Sequence, residues 1–543
     1  MRAQSRSVFA VLVSCSLIVG CGSDISATDP YAQVMNKPRY ISAQSQWSMI
    51  VMDAGTGQIL YSLNPDTMIF TASVRKLYSV ATALGVIGAD HRFQTPVYRN
   101  GTVDATGKLT GDLIIQASGD LTFGGRQKPD GTVDFTDYDH NDARGFQGAI
   151  LTPEDPLTAM NALAAQVRAS GITSVNGDVI VDDRLFDSFR VPNGNVLISP
   201  MLVNENVIDM TLSPGVGVGQ PAVLDWRPRT SAMTFQGTAV GTAAGTDPDI
   251  VVSGDAFNEA PLSCIATPGC KATVSGEAGL DTPATIPLAY RSALIGNDIY
   301  VSNVRVDDPP SFARTAFIDA LARAGVAVSA PSVQANASAS LPSSPGNMSA
   351  NQVASFTSPP YSEFAKLILK VSLNTGANLS LMYQGVAQGG RTVDDALGTE
   401  RKYLTGTLGL DGGSFDFPTN GSGTPDSRAT ARTTATLLAM MSRGANATVY
   451  RNALSILGTD GSLAAVGKTV VGKENILVKS GATIDASGQL VAINMAGYIS
   501  AKSGRQLAYA LFVNHAGPAS SAAAALDVFN DEADILGIVY SQY

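Results

Sequence analysis

The sequence predicts a mixed α/β fold of the α+β kind: an antiparallel sheet covered by helices, with a large β-rich insertion part-way along. Three observations carry this. Trp47–Met52 and Gln58–Leu63 are apolar runs on either side of the turn Asp53-Ala54-Gly55-Thr56-Gly57, the pattern of a β-hairpin. The stretch Thr71–Leu84 follows directly, with Leu77, Ala81 and Leu84 at helical spacing, and a hairpin feeding a buried helix is what a helix-covered sheet needs. Far down the chain, Ile476–Lys479, Gln489–Tyr498 and Gln506–Asn514 read as a meander of strands.

A chain of 543 residues is too long for one ordinary core, so two or three domains are expected. Hydrophobic residues at 45% exclude general disorder, and only 15% of residues are charged, which with abundant Gly, Ala, Ser and Thr suits an exported bacterial protein. The net charge of −10 excludes nucleic acid as partner, since phosphate neutralisation needs a basic surface. Residues 1–20 read as a signal peptide, with Arg2 and Arg6 before an apolar run from Val8 to Gly20 that is too short to cross a bilayer. The sequence Ile18-Val19-Gly20-Cys21 resembles the lipobox of bacterial lipoproteins, so residues 21–46 are expected to be a lipidated N-terminus on Cys21 followed by a linker. Gly22 is not acidic, which favours the outer over the inner membrane, and no later run is long and apolar enough to span a bilayer. Cys264 and Cys270 flank a Thr267-Pro268-Gly269 turn and are expected to form a disulfide in an oxidising compartment. Two cysteines without a neighbouring histidine cannot complete a zinc site, and no metal or cofactor is expected.

From about Pro96 the texture changes to short apolar runs and turns, such as Gly111–Ile115 and Gly177–Val181, continuing through Gly215–Ala284. Pro156–Ser170 is the one firm helix there, with Leu157, Met160, Leu163, Ala164 and Val167 on one face. Asp120–Gly148, rich in aspartate and holding Tyr138 and His140, reads as a solvated loop in preference to a metal site. Helical spacing returns at Pro310 with Ala313, Ala316, Phe317, Ala320 and Leu321, and Gly325 marks the stop. Ala330–Ala350 reads as an exposed loop, and Tyr361–Val371 as a helix leading into Ser372. The chain has no fixed-period repeat.

The chemistry begins at Ser73. In a helix starting near Thr71, Ser73 and Lys76 stand three residues apart on one face, a nucleophile beside a base. A lysine takes a proton from serine only where burial or a nearby cation lowers its pKa, and the helix N-terminus favours an anion near Ser73. Alone, Ser-x-x-Lys is a weak signal that an ordinary helix also explains. Ser372-Leu373-Asn374 and Lys479-Ser480-Gly481 then supply a Ser-x-Asn and a Lys-Thr/Ser-Gly element, in the order that penicillin-recognising serine acyltransferases require.

On these three motifs the chain resembles the low-molecular-mass class C penicillin-binding proteins, the D-alanyl-D-alanine carboxypeptidase/endopeptidase family. The likeness extends to Asp53–Gly57, Leu84–Gly88, Gly177–Asp183, Ser358-Pro359-Pro360, Asp411–Ser414, Gly461-Ser462-Leu463 and Gly497-Tyr498, and to the long separation of Ser73 from Ser372. It implies a β-lactamase/transpeptidase-like catalytic domain built from residues 47–95 and 305–543, with β-rich insertion from 96 to 304. It also implies that Ser73 attacks a D-Ala-D-Ala carbonyl, that Lys76 takes its proton, and that Ser372 and Asn374 relay the proton and bind the substrate amide. Lys479 would set the local electrostatics, Ser480 beside Gly481 would bind the terminal carboxylate, and the amides of Ser73 and Ala482 would hold the oxyanion. Two departures stand out: Ala482 lies where the family has a hydroxyl, with Thr483, counted with Lys479–Ala482 among the expected substrate-binding residues, one further on, and Asn378 lies where a Glu is common. None of His91, His140 and His515 falls in a motif. The implied partners are peptidoglycan stem peptides, β-lactam antibiotics and, through the lipid anchor, a membrane facing the periplasm. A serine esterase or weak β-lactamase of the same fold, and a non-catalytic wall-binding lipoprotein, are the alternatives that the motifs leave open.

The lipobox yields a direct expectation: Cys21→Ser shifts the protein from the membrane to the soluble fraction and removes an acyl chain visible by mass spectrometry. Unchanged fractionation with no acyl mass in the parent protein counts against it.

Overall fold

Alternation in the two long strands near the C-terminus sets the architecture. In Leu490–Ser500, Ile493, Met495 and Ile499 point to one side while Ala496 and Tyr498 point to the other. In Gln506–Asn514, Leu507, Tyr509, Leu511 and Val513 join the first side, and Ala508, Ala510 and Phe512 the second. A strand apolar on both faces must be covered on both. This structure, a computed structural model, describes residues 25–142, 149–192, 196–246, 249–253, 262–280, 300–343, 349–519 and 522–543. Residues 1–20 and Cys21 therefore lie outside the described residues.

The central sheet has six antiparallel strands in the order Ile59–Leu63, Gln46–Asp53, Gln506–Asn514, Leu490–Ser500, Ile476–Ile484, Ser455–Ile456. The hairpin and the meander thus join in one sheet, with Trp47 opposite Val513 and Lys479 opposite Ala496. On its second side, the small residues Ala496, Ala508 and Ala510 let helices approach closely. Lys76–Val86, Tyr361–Lys370 and Ala431–Met441 pack there in one continuous core. The opposite side is covered by the C-terminal helix Ala522–Gln542 through Val528, Phe529, Ile535, Leu536 and Val539.

The linker expected before residue 46 is instead packed structure. Ala32–Met35 and Pro38–Ser42 are short helices that bury Tyr31 and Tyr40 against the C-terminal helix, and the Tyr40 hydroxyl donates to Asp531 at 2.6 Å. Two large aromatic rings provide the burial that a flexible linker lacks.

The insertion holds a second core. Lys108–Gln116 pairs in parallel with Ser174–Asn176 and Val179–Asp182 and antiparallel with Gln94–Val103, which in turn pairs with Gln352–Thr357. Helices Thr158–Ala169 and Pro309–Arg323 lie in that core, so packing assigns the second of them to the insertion although it follows residue 305. The chain returns to the catalytic core at Tyr361. A further three-stranded sheet joins Val207–Ser213 to Val223–Arg227 and Tyr300–Arg305. Another gathers Thr234–Gly237, Val240–Thr242 and Asp249–Val252 around Lys271–Gly279. Cys264 and Cys270 are disulfide-bonded around their turn.

The expected solvated loop at Asp120–Gly148 is also corrected over residues 120–142; residues 143–148 lie outside the described residues. Asp120, Arg126, Tyr138, Asp139 and His140 are buried. Arg126 binds Asp139 in bidentate fashion at 2.6 and 2.8 Å and also pairs with Glu205, and His140 lies 2.9 Å from Asp209 and 3.2 Å from Glu205. Burial opposes a charge on His140, but Asp209 and Glu205 hold its imidazolium up to about 10. Asp139, His140 and Glu205 have donor atoms within 4.8 Å of one another, yet Arg126 already supplies the positive charge that a cation would bring. With Arg227 on Asp209, three carboxylates face three cations. The network forms because Glu205 and Asp209, far along the chain, fold back onto the aspartate-rich stretch.

Glu532 on the C-terminal helix is fully buried, and neither carboxylate oxygen meets a hydrogen-bond partner. Burial, with Asp531 nearby, pushes its carboxyl well above the usual range. A carboxyl raised on folding stabilises fully below its unfolded value, about 4.3, and loses that contribution as pH rises towards its folded value. Glu532→Leu is therefore expected to stabilise the fold by roughly 1–3 kcal/mol. The gain in Tm over the parent should be larger at pH 8 than at pH 5; a variant less stable at both would contradict the assignment.

Candidate active site

The nucleophile does not begin a regular α-helix. Ala72–Arg75 forms a 3₁₀ turn, and the α-helix starts at Lys76, because Ala72 takes a left-handed φ of 45° that an α-helix cannot contain. Ser73 remains part-exposed while Lys76 is fully buried, and Lys76 Nζ lies 2.6 Å from Ser73 Oγ. The third-motif strand runs directly against this turn. A Cβ on Gly481 would lie 2.8 Å from the Thr71 carbonyl oxygen and 3.0 Å from the Ser73 and Val74 nitrogens, so only glycine allows the approach.

The second motif arrives from the opposite side. Helix Tyr361–Lys370 ends, Ser372 adopts a left-handed φ of 61°, and helix Asn374–Ala387 begins two residues later. That strained link is the kind of conformation that persists only where its surroundings determine it. Lys76 Nζ reaches Asn374 Oδ1 at 2.7 Å and Ser372 Oγ at 3.2 Å; Lys479 Nζ reaches the same Ser372 Oγ at 3.0 Å and the Ser480 carbonyl at 2.6 Å. Ser73, Lys76, Ser372, Asn374, Lys479 and Gly481, drawn from three distant stretches, thus converge, and Ser480 adjoins them on the strand.

Ala482 and Thr483 stand differently. Ala482 is exposed on the strand, and Thr483, its neighbour, is turned to the opposite side and spends its hydroxyl on Thr424 Oγ1 at 2.7 Å. Thr483 therefore ties the strand to a loop and does not stand in for the hydroxyl missing at 482.

That loop, Asn420–Thr424, was not legible as part of the site. Asn420 Oδ1 accepts from the Ser422 and Gly423 amides, and the Ser422 carbonyl lies 3.4 Å from Lys76 Nζ. Gly423, with φ 118°, presses on Ala72, where a Cβ would come within 1.9 Å of the carbonyl oxygen. Its anchor is Asn378, the second departure from the family pattern: Asn378 Oδ1 accepts from the Gly421 amide at 2.8 Å while Nδ2 donates to the Asn374 carbonyl at 2.9 Å. An amide both accepts and donates, which a glutamate in its ionised form cannot do. Beneath the turn, Arg75 is wholly buried, paired with Glu400, bonded to Ser79 at 3.0 Å and stacked 3.9 Å from the Phe417 ring centroid. Asn420-Gly421-Ser422-Gly423 has the composition of an ordinary turn, and only its tertiary contacts reveal the role.

Asn378→Leu keeps the volume but strips both hydrogen bonds from buried backbone groups. A loss of about 1–3 kcal/mol in urea unfolding is expected, whereas unchanged stability would mean that the bridge is dispensable.

The comparisons with known proteins agree with this geometry. The D-Ala-D-Ala carboxypeptidase 3 (S13) family matches residues 32–258 and 297–533. The chain is 26% identical over 493 residues to a D-alanyl-D-alanine carboxypeptidase of Actinomadura sp. (strain R39), covering 87% of this chain and 78% of that protein. In fold it is similar to the crystal structure of penicillin-binding protein 4 from Haemophilus influenzae, with TM-score 0.64 at 16% identity over 94% of this chain and 99% of that one. A second crystal structure of the same protein, complexed with a β-lactam, gives TM-score 0.62 at 16% identity, with the same coverage of both chains. A sheet, a part-exposed serine on a buried lysine with two further motifs folded onto them, and a family match over most of the chain point one way: this protein belongs to the D-Ala-D-Ala carboxypeptidase 3 (S13) family and is a serine-type D-Ala-D-Ala carboxypeptidase acting on peptidoglycan.

Proposed function

We propose that the protein cleaves peptidoglycan stem peptides, as carboxypeptidase or endopeptidase, through an acyl-enzyme on Ser73, and that β-lactams inhibit it by acylating the same oxygen. The observation that carries the reading is the 2.6 Å contact of Lys76 Nζ with Ser73 Oγ, with the Ser372 hydroxyl 3.2 Å beyond. Ser73 Oγ bonds to the carbonyl carbon of the penultimate D-alanine and gives its proton to the Lys76 amine. The proton passes through Ser372 Oγ to the departing nitrogen as the C–N bond breaks, releasing D-alanine and leaving an ester. Water then attacks the ester, and Ser73 recovers its proton. Lys479, shared with Ser372, supplies positive charge on the substrate side of the relay. Gly481 brings the strand bearing the Ala482 amide against the turn bearing the Ser73 amide, which suits the two as oxyanion donors. The β-lactam complex of the Haemophilus influenzae protein supports the inhibition reading.

In this proposal the enzyme works in the periplasm, held to a membrane, the outer more than the inner, by a lipid on Cys21. Among the described residues, no helix is long and apolar enough to cross a membrane; the lipobox at Ile18–Cys21 is what supports the anchor.

Fluorescent penicillin is expected to label Ser73, located by peptide mapping, and D-Ala-D-Ala peptides to release D-alanine. Ser73→Ala loses both while staying folded, Lys76→Ala slows acylation by a factor on the order of 10² to 10⁴, and Lys479→Ala weakens it without removing the proton acceptor. An adduct elsewhere overturns the assignment of the nucleophile. Rapid drug hydrolysis without D-alanine release marks a β-lactamase instead, and labelling with no turnover of either marks a wall-binding protein.

A further inference from the structure

The loop at Asp460 lies on the third-motif side of the site and is fastened at Asp460, Gly461 and Ser462. Strand Ser455–Ile456 pairs with Leu477 and Val478, which delivers the following loop alongside Ser480. Asp460 Oδ2 binds Lys370 Nζ at 2.6 Å, and Asp460 Oδ1 accepts from the Ile456 amide. Lys370 also donates to the Leu454 carbonyl at 2.8 Å, and it stands two residues before Ser372. Gly461, at φ 65°, crosses the end of that helix so tightly that a Cβ would lie 2.4 Å from Ser455 Oγ and 2.5 Å from the Lys370 carbonyl oxygen. The Gly461 amide donates to Asp137 Oδ1 at 2.7 Å, a residue of the aspartate-rich stretch in the insertion. Ser462, next along, places its hydroxyl 3.1 Å from that of Ser480.

We propose that Ser462 is a positioning residue that aims the Ser480 hydroxyl at the substrate's terminal carboxylate, and that the insertion sets its place through Asp137. This rests on the peptidase reading and on Ser480 as the carboxylate donor. Ser480 has one hydroxyl hydrogen. When that hydrogen goes to a carboxylate, the Ser480 oxygen is left as an acceptor, and a Ser462 hydroxyl donating to it from 3.1 Å away fixes its rotor and polarises it. The arrangement matters here because Ala482 offers no second side-chain hydroxyl on the same face of the strand. Lys370, Asp460 and Asp137 act through this one hydroxyl: they fix the loop between the Ser372 helix and the insertion, so the carboxylate end and the proton relay share a support.

The test compares peptides ending in free D-Ala-D-Ala with the same peptides capped as the C-terminal amide, on the full mature protein. Ser462→Ala should lower the free-acid over amide preference in kcat/KM by roughly tenfold, as the Ser480 hydroxyl loses its aim and with it most of its hydrogen bond to the carboxylate. The change is carried by KM for the free acid, with kcat and penicillin labelling of Ser73 far less affected. Ser462→Thr restores the preference. Asp137→Ala should lower it in the same way while Asp137→Asn, which keeps the acceptor for the Gly461 amide, retains it. A parent enzyme that cleaves the free acid and variants that keep its preference unchanged would overturn this inference alone. A parent enzyme with no D-alanine release from either peptide overturns the peptidase reading and this inference together. Loss that is equal for acid and amide peptides in Ser462→Ala, unrescued by Thr, shows a structural role only and also overturns it.

Discussion

One buried lysine amine that meets four oxygens is the constraint to which the rest of the catalytic domain answers. Lys76 Nζ touches Ser73, Ser372, Asn374 and the Ser422 carbonyl, and these come from a turn, a helix junction and a loop distant in sequence. Burying an amine without partners costs several kcal/mol, so each oxygen must be delivered to about hydrogen-bond tolerance. The helix bearing Lys76 is accordingly buried from Lys76 through Leu84, with no solvent face along which it could shift. Arg75, paired and stacked below, prevents the turn from rolling. A buried ion pair is weak evidence of stability, and here it is better understood as fixing one geometry among several compact ones.

Strain marks the same places. Ala72 and Ser372 are left-handed residues with side chains, one on each side of the nucleophile's partner. Such conformations cost on the order of 1–3 kcal/mol each and are held by their neighbours: Gly423 against Ala72, and the two lysines on the Ser372 hydroxyl. The insertion shows a second instance. Asn204, Glu205 and Asn206 are all left-handed, and Glu205 is gripped by Arg126 and His140. Backbone strain at Glu205 and charge pairing around it support each other, because the unusual turn is what points the carboxylate inward.

Legibility followed the range of the interactions. The hairpin, the meander and the helix at Tyr361 were visible because alternation and helical spacing are local, and Ser73, Lys76, Ser372, Asn374 and Lys479 because short motifs hold their own spacing. What failed depended on partners far along the chain. Asp139 and His140 looked solvated because the stretch is rich in aspartate, and nothing near them announces Glu205 or Asp209. Residues 31–42 looked like a linker because their burial against the C-terminal helix joins opposite ends of the sequence. The partner of Thr483 was not visible either, because Thr424 lies 59 residues away along the chain. The start of the nucleophile helix was misjudged by a few residues because spacing cannot show that Gly423 and Gly481 crowd the turn from both sides.

The pairing of Gln46–Asp53 with Gln506–Asn514 has a temporal meaning. Synthesis proceeds from the N-terminus, so the strand that precedes Ser73 emerges without its neighbour and waits for more than 450 further residues before it can be flanked on both sides. Contacts so distant along the chain also make closure slow relative to local folding. The insertion, whose pairings lie between residues 94 and 357, can organise in the meantime. Ser73 then meets Gly481 and Lys479 only when the strands of residues 476–514 arrive, which leaves a polypeptide lacking them catalytically silent and ties the first moment of activity to their docking.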